Sequence, residues 1–278
     1  MIHQISSYEC YKKSPYKSVK HNTYFAVYDR IFKRYIDKPI VFVEIGVLNG
    51  GSLFMWREFF GDKARIIGID LNPIAKKWEE DGFEIFIGNQ SDEKFWECFF
   101  DQVGPIDVLL DDGGHTYDQQ IVTVESVLPY INDSGLVVIE DTHTSYLKEF
   151  GALSHFSFIE YSKNIIDGIN YRFGRFYENK SEETIYCVTY FESFVVFEID
   201  RSLSVISSER TDNGGLSVNA LDYRYSENSV SIMNRIPSRL KSLKLYVFFQ
   251  KKYHSLRLYF ILKNNIAKAK KMNRYFKY

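Results

Sequence analysis

Short runs of apolar residues alternate along the first half of the chain with segments that have the spacing of amphipathic helices. The apolar runs are continuous, which is typical of parallel strands covered on both faces. They predict strands over residues 40–45, 65–69, 84–87, 107–110 and 135–139. The segments between them predict helices over residues 52–60, 73–81, 92–103 and 118–130. Strands that alternate with helices indicate an α/β fold with a doubly wound, mostly parallel, Rossmann-like sheet.

The pattern differs on either side of this alternation. Helical spacing over 22–35 predicts an N-terminal helical segment, residues 1–38, and the main domain then covers 39–200. Within that domain, a helix is predicted over 156–171, followed by two β-rich runs that a two-residue turn joins into an antiparallel hairpin, 184–191 and 194–199. A polar linker, 201–234, and a basic helical extension, 235–278, complete the prediction.

Charge is distributed unevenly in this chain of 278 residues, although its net charge is only -1. Residues 235–278 hold 13 Lys/Arg and no Asp/Glu, which leaves 22 basic and 36 acidic residues, a net of -14, in the rest. A basic, partly apolar extension favours docking on the acidic body, a homo-oligomer interface, or peripheral contact with an anionic membrane surface. Three cysteines without metal-ligand spacing, and no apolar run of about 18 residues, favour a cytoplasmic protein.

Glycines follow the first predicted strand in E-I-G-V-L-N-G-G-S, residues 44–52. Glycines there permit close approach of the backbone, and a helix N-terminus presents free N–H groups to an anion. Asp70, at the end of the second strand, has the position of a carboxylate that binds ribose hydroxyls. We therefore expect a nucleoside-type cofactor. Its candidate ligands are Glu44, Gly46, Asn49, Gly50, Ser52, Asp70, Asn89, Gln90, Asp92 and Asp111. The alternatives are a tight turn for the glycines and a capping role for Asp70.

Acidic residues and histidines follow the fourth and fifth strands, in D-V-L-L-D-D-G-G-H and L-V-V-I-E-D-T-H. Clustered carboxylates repel one another by roughly 4 kcal/mol per close pair at an effective dielectric of 20. A hard divalent cation such as Mg²⁺ would relieve that repulsion, and Asp112, Glu140 and Asp141 are the expected ligands. His115 is the expected general base, because imidazole accepts a proton near neutral pH. The alternative is that these acids cap helices.

Side chains farther along the chain are candidates for contact with an acceptor substrate. His143, Tyr117 and Tyr146 lie close in sequence to the acidic clusters, and ordinary packing is the alternative for each. For His143, ligation of the metal is a further alternative. Arg172 and Arg175, in Y-R-F-G-R-F, are expected to pair with a diphosphate, with surface solubility as the alternative. These residues predict an acceptor that is polar and carries either hydroxyl groups or a diphosphate.

With these motifs in place, residues 38–200 resemble the class I methyltransferases that use S-adenosylmethionine (SAM), specifically the Mg²⁺-dependent macrolide-sugar group and a family labelled cephalosporin hydroxylase. The resemblance rests on E-I-G-V-L-N-G-G-S, D-D-G-G-H, I-E-D-T-H and Y-F-E-S-F-V-V-F-E. It implies SAM and Mg²⁺ as cofactors, metal ligands at Asp112, Glu140 and Asp141, and a general base at His115. The implied reaction is methylation of a hydroxyl on a sugar, either nucleotide-activated or part of a surface polysaccharide such as capsule or lipopolysaccharide.

Other function classes fit the sequence less well. A non-catalytic partner protein that docks a glycan-assembly complex through its basic extension is the main alternative, but the acids at the strand ends argue against it. Nucleic acid is not an expected partner, because the body is acidic and phosphate binding needs a coherent basic surface. A dehydrogenase is disfavoured because the glycine motif departs from G-x-G-x-x-G.

Overall fold

The structure is a computed structural model that describes residues 6–173 and 182–216. Within 252–275 it describes only Lys252, Ser255, Leu256, Tyr259, Leu262, Lys263, Ile266, Lys270 and Tyr275. Met1–Arg210 form one compact unit and Thr211–Tyr278 a second. In the second unit, Leu256 and Tyr259 are helical and exposed. Arg175, residues 217–234 of the predicted linker and most of the predicted basic extension lie outside the described residues.

A seven-stranded sheet in the order β3-β2-β1-β4-β5-β7-β6 forms the centre of the first unit. Its strands are β1 (Val41–Ile45), β2 (Arg65–Asp70), β3 (Glu84–Ile87), β4 (Ile106–Asp111), β5 (Ile131–Ile139), β6 (Ile185–Phe191) and β7 (Phe194–Ile199). The pairs among β1 to β5 are parallel, whereas β7 runs antiparallel to both β5 and β6. The predicted doubly wound sheet with an antiparallel hairpin is therefore confirmed.

Helices cover both faces of this sheet. They are α1 (Ser7–Lys13), α2 (Tyr24–Phe32), α3 (Gly51–Phe60), α4 (Glu93–Val103), α5 (Tyr117–Val127), α6 (Phe158–Tyr171) and the short α7 (Arg201–Ser204). On one face, α2 and α3 bury an aromatic cluster that includes Tyr28, Phe32 and Trp56. On the other, α4, α5 and α6 bury Trp96, Phe99 and other apolar side chains. The strands are continuously apolar because each strand contributes side chains to both cores.

Some elements differ from the sequence prediction. The segment Pro73–Asp81 is a 3-10 helix rather than an α-helix. Strand β5 begins at Ile131, four residues before the predicted start. Its first part, residues 132–134, is exposed and therefore lacks an apolar pattern, and the pairing with β4 shifts register there. Helix α1 follows Ser6, whose side chain accepts a hydrogen bond from Tyr8 N, and no pattern had predicted it.

The N-terminal segment belongs to the first compact unit. The Ser7 hydroxyl donates to the carbonyl of Phe25, which joins α1 to α2. Tyr28 and Phe32 of α2 then pack edge-on against Trp56 of α3. The first helices are therefore built into one of the two cores. Among the described residues, no helix is long and apolar enough to span a membrane.

Candidate active site

A cavity of about 380 Å³ lies beyond the carboxyl ends of β1, β2, β3 and β4. The strand order reverses between β1 and β4, and in open α/β sheets ligands bind in the crevice at such a point. The lining residues of the cavity include Val19, Gly46, Asp70, Asn89, Gln90, Asp112 and His115. The cavity is therefore the expected place for a cofactor of nucleoside type.

Two glycines of the loop after β1 have backbone conformations that require glycine. Gly46 has a φ of 95°, and a Cβ there would collide with the carbonyl oxygen of Asp112. Gly50 has a φ of 77°, and a Cβ there would collide with the ring of Trp78. The predicted turn and the predicted close approach are thus both present: Gly46 lets the loop after β1 meet the loop after β4 at the cavity wall, and Gly50 lets the backbone pack against Trp78.

Asp70 and Asn89 both line the cavity at the ends of β2 and β3. Asp70 accepts hydrogen bonds from the backbone N–H of Leu48 at 2.9 Å and of Asn72 at 2.8 Å. The side chain of Asn89 accepts from the N–H and the hydroxyl of Ser91. Asp70 thereby orders the two loops that frame the cavity and retains lone pairs for a ligand hydroxyl.

Glu44 and Ser52 are placed inside the protein, on a core face. Glu44 is fully buried and accepts hydrogen bonds from Ser52 Oγ at 2.7 Å and from Trp56 Nε1 at 3.0 Å. Burial raises the pKa of Glu44 to about 7, and the nearby Lys20 opposes that rise. These two predicted cofactor ligands therefore support the loop from behind, and neither lines the cavity.

Asp111 and Gln90 form a second buried support. The Gln90 side-chain amide donates to Asp111 Oδ1 at 2.9 Å and Oδ2 at 2.8 Å, and its oxygen accepts from Gly114 N at 3.0 Å. Burial raises the pKa of Asp111 to about 7, although the donors of Gln90 and Gly113 oppose the shift. Gln90 thus fixes the loop after β4 and also contributes to the cavity wall.

Two of the remaining predicted cofactor ligands lie away from this wall. Asp92 caps α4, where its side chain accepts from Lys94 N at 3.0 Å. Asn49 is exposed on the loop that precedes α3. The side chain of Asp92 is thus used as a helix cap, a role that helix N-termini commonly give to Asp.

The acids that end β4 and β5 converge next to the cavity on a lysine that the sequence did not single out. Lys20 Nζ lies 2.5 Å from Asp112 Oδ2 and 3.2 Å from Glu140 Oε1, and its side chain is 1% exposed. Tyr28 also donates to Glu140, at 2.6 Å. Burial raises the pKa of Glu140 to about 8 despite these partners. Two of the predicted metal ligands are therefore paired with a single ammonium group from the N-terminal segment.

His115 and Asp141 face each other across the ends of β4 and β5. His115 Nε2 lies 3.5 Å from Asp141 Oδ2, and ligand atoms of Asp112, His115 and Asp141 lie within 4.8 Å of one another. His115 and Asp141 have φ angles of 60° and 56°, which non-glycine residues seldom adopt. Asp141 precedes the 3-10 turn Thr142–Tyr146 and makes no side-chain capping bond there, so capping does not explain it.

A second cavity, of about 460 Å³, lies between the 3-10 turn after β5 and the hairpin. Its wall is mainly aromatic and polar, and includes Tyr24, His143, Tyr146, Tyr190, Glu192 and Ser193. The Tyr24 hydroxyl donates to Asp141 Oδ1, and His143 Nδ1 lies 3.0 Å from Ser193 Oγ and 3.8 Å from Asp141 Oδ1. Asp141 is thus the contact between this cavity and His115, which lines the first.

The other predicted acceptor residues have different surroundings. Tyr117 donates to the carbonyl of Ala152 and so holds the loop after the 3-10 turn. Arg172 donates to the carbonyls of Glu182 and Ile185 at the start of the hairpin. Neither residue lines the two cavities described above, whereas His143 and Tyr146 line the second.

Comparison with known proteins places this geometry in context. Residues 43–142 match the family model described as a methyltransferase domain. The chain is 31% identical over 160 residues to 8-demethyl-8-alpha-L-rhamnosyl tetracenomycin-C 2'-O-methyltransferase of Streptomyces olivaceus, a match that covers 54% of this chain and 42% of that protein. It is 35% identical over 133 residues to mycinamicin VI 2''-O-methyltransferase of Micromonospora griseorubida, covering 45% of this chain and 32% of that one.

Solved structures give the same relationship. The MycE methyltransferase of the mycinamycin biosynthetic pathway, solved in complex with Mg, SAH (S-adenosylhomocysteine) and mycinamycin VI, superposes with a TM-score of 0.63 at 25% identity. The match covers 77% of this chain and 57% of that one, and the chain spans less than half the length of the curated relatives it matches. Residues 43–142 therefore match a methyltransferase domain, and the chain is similar in sequence and fold to the O-methyltransferases named above.

Proposed function

We propose that the protein is a SAM-dependent, divalent-cation-dependent O-methyltransferase that acts on a sugar hydroxyl. One observation carries the proposal: Asp141 lies between side chains that line two cavities of different character. His115, 3.5 Å from Asp141, lines the cavity framed by Asp70 and Asn89, and Tyr24 and His143 on its other side line the aromatic cavity. A methyl donor in the first cavity and a sugar in the second would meet at this carboxylate.

The first cavity has suitable chemistry for SAM. Asp70 can accept hydrogen bonds from ribose hydroxyls, and Asn89 can pair with an adenine edge. Close packing at Gly46 brings bare backbone to the wall, where a larger residue would close the gap. Relatives bound to SAH have the same fold, which supports this assignment.

The carboxylates suit a hard divalent cation, since Asp112, Glu140 and Asp141 provide oxygen donors at adjacent strand ends. Asp112, His115 and Asp141 already have ligand atoms within 4.8 Å of one another. When bound, such a cation would lower the pKa of a coordinated sugar hydroxyl and hold two neighbouring oxygens. The proposed ligands remain Asp112, Glu140 and Asp141, which leaves the imidazole free to act as a base.

His115 takes the proton from the acceptor hydroxyl in this proposal. Asp141 accepts a hydrogen bond from Tyr24 and lies beside both His115 and His143, so it can orient the imidazole and stabilise its charged form. The rare backbone conformations at His115 and Asp141 fix both side chains on the junction, as expected where local strain is tied to function. Alignment of the two reactants would contribute most of the acceleration.

The second cavity indicates what kind of sugar fits. Tyr24, Tyr146 and Tyr190 provide flat apolar faces and hydroxyls, while Glu192 and Ser193 provide acceptors for sugar hydroxyls. Its described wall includes neither Lys nor Arg, and Arg172 is bonded to backbone carbonyls instead. Of the two acceptors we consider, a surface-polysaccharide unit therefore suits these contacts better than a sugar carrying a nucleoside diphosphate.

The test combines binding and turnover. Wild-type protein, His115→Ala and the exposed-site control His155→Ala are titrated with SAH by calorimetry, then assayed for methyl transfer to nucleotide sugars and to capsule-type oligosaccharides with Mg²⁺. We expect His115→Ala to lose at least 100-fold in turnover and to keep SAH affinity within about threefold. Equal turnover in wild type and His115→Ala would refute the assignment of His115 as the base. Absence of SAH binding to wild type would refute the proposal that the protein is a SAM-dependent enzyme.

A further inference from the structure

We infer that Lys20 and the divalent cation are alternative occupants of the carboxylate site, so the N-terminal segment 14–23 must withdraw its lysine before Asp112 and Glu140 can both bind the metal. This inference rests on the proposed cation site. Lys20 lies outside the methyltransferase match, which begins at residue 43. It would thus be a residue of this chain that controls access of the cation to a shared catalytic scaffold.

Distances make the two cations mutually exclusive. Lys20 Nζ is 2.5 Å from Asp112 Oδ2 and 3.2 and 3.3 Å from the two oxygens of Glu140. A Mg²⁺ ion that took one oxygen from each carboxylate would lie about 2.1 Å from both oxygens. An ion that used the same oxygens, Asp112 Oδ2 and Glu140 Oε1, would compete with the ammonium group for them. Two positive charges on the same carboxylate oxygens would repel each other.

The ammonium group of Lys20 is buried between the carboxylates that it contacts. The Lys20 side chain is 1% exposed, and the Glu140 side chain is also 1% exposed. All three polar contacts of the ammonium group are carboxylate oxygens, and the ring of Tyr28 lies 5.8 Å away. A buried carboxylate without a partner charge is costly, so an ionised Glu140 favours the presence of one cation or the other.

Most contacts that hold the segment 14–23 in place are made by residues N-terminal to Lys20. Ser14 donates to the carbonyl of Gly51 at 2.8 Å, and the Tyr16 ring packs 4.5 Å from that of Trp78. Beyond Ser18, whose carbonyl accepts from Tyr11, the side chains of the segment reach the two cavities. Val19 lines the first cavity and His21 the second. Withdrawal of Lys20 would therefore widen both ligand sites at once.

The first experiment measures access to Lys20 in the full chain, without any variant. Trypsin cleaves after lysine, and the bond after Lys20 is protected while its side chain is buried. Intact-mass spectrometry would follow cleavage after Lys20 and after the exposed Lys17 with and without MgCl₂ or MnCl₂. We expect the metal to accelerate cleavage after Lys20 at least fivefold and to leave cleavage after Lys17 unchanged. An unchanged or slower rate at Lys20 would overturn the inference.

The second experiment measures metal affinity directly. Lys20→Met keeps the length of the side chain and removes its charge, and Lys17→Met is the matched control on the same segment. We expect Lys20→Met to bind Mn²⁺ at least tenfold more tightly than wild type, by electron paramagnetic resonance and calorimetry, with Lys17→Met unchanged. Equal or weaker binding by a folded Lys20→Met would mean that the lysine and the metal occupy separate places, and would also overturn the inference.

The outcomes separate this inference from the proposed function. If wild type binds Mn²⁺ and Asp141→Asn weakens that binding, the cation site stands whether or not Lys20 competes for it. If neither wild type nor Lys20→Met binds millimolar Mn²⁺, the cation site itself fails and the competition with it. Because the tryptic assay uses unaltered protein, it remains decisive if Lys20→Met does not fold.

Discussion

Replacement of Gln90 by leucine should destabilise the protein in a pH-dependent way. The Gln90 amide donates to both oxygens of the buried Asp111 and accepts from Gly114 N–H. Loss of a hydrogen bond to a buried charge costs about 1.5–3 kcal/mol, and loss of the neutral one about 1 kcal/mol. Leucine has nearly the same volume, so a cavity adds little. We expect Gln90→Leu to lower the free energy of unfolding by about 3 kcal/mol at pH 7.

The pH dependence follows from the direction of the Asp111 shift. Burial raises its pKa to about 7, above the value of about 3.9 in an unfolded chain. The folded protein therefore binds more protons between those values, and the contribution of Asp111 to stability falls as pH rises through that window. The Gln90 donors lower this pKa. Removal of the Gln90 donors raises the pKa of Asp111 further and extends the window above pH 7. The difference in the free energy of unfolding between wild type and Gln90→Leu should therefore widen as pH rises.

Urea unfolding at pH 6, 7.5 and 9 measures that gap, with tryptophan fluorescence as the probe because Trp96 Nε1 donates to the Gln90 carbonyl at 2.8 Å. Asn89→Ala is the matched control, since its side chain accepts only from Ser91, two residues along, among the bonds described. It should weaken SAH binding with little change in stability. A gap that stays constant or narrows from pH 6 to pH 9 would refute the reasoning on Asp111.

Three further predictions concern packing and reactivity. Gly46→Ala should abolish SAH binding and cost more than about 2 kcal/mol, whereas Gly82→Ala, with φ near 82° and no neighbour within 4 Å, should cost only about 1 kcal/mol by chemical denaturation. Tyr28→Phe, which removes a 2.6 Å donor from buried Glu140, should lower the free energy of unfolding by about 2 kcal/mol in the same assay. Ellman's reagent should label exposed Cys98 rapidly and spare Cys10 until unfolding, because burial raises the pKa of Cys10 to about 11.

Strand positions could be predicted from the sequence because parallel strands buried on both faces need continuous apolar runs. The same reasoning located the site, since acids at the ends of neighbouring parallel strands must converge at one edge of the sheet. Asp112, Glu140 and Asp141 do converge there, as does His115. The pattern therefore identified the edge of the sheet at which these four side chains meet.

The direction of a side chain within a strand can be read from the sequence. The motif-based assignment of Glu44 and Asp111 to the cofactor did not take that direction into account. Successive residues of a strand point to opposite faces, so Glu44 shares a face with Phe42, and Asp111 with Leu109. Phe42 and Leu109 belong to the two cores, and the acids accordingly point inward to Trp56 and Gln90. Two-residue periodicity could have separated these inward acids from Asp112, which follows the end of β4.

Lys20 had no comparable signal. It lies 92 residues from Asp112 and 120 from Glu140 in a polar stretch where a lysine is ordinarily a solvated side chain. Only the charge balance indicated that a positive charge had to lie nearby, since four acids at two strand ends require a counter-charge. The sequence reasoning assigned that role to a metal alone, and the structure adds an ammonium group.

The segment before the methyltransferase match supplies the partners of the acids within it. Lys20 and Tyr28 bind Glu140, and Tyr24 binds Asp141, although the match begins at residue 43. The domain therefore provides the strand ends, the glycine loop and the proposed base, which any methyl transfer of this kind would use. The N-terminal segment contributes a counter-charge to the carboxylates and part of the proposed acceptor wall. In this chain, acceptor fit and access of a cation would then depend on this segment, with the sheet unchanged.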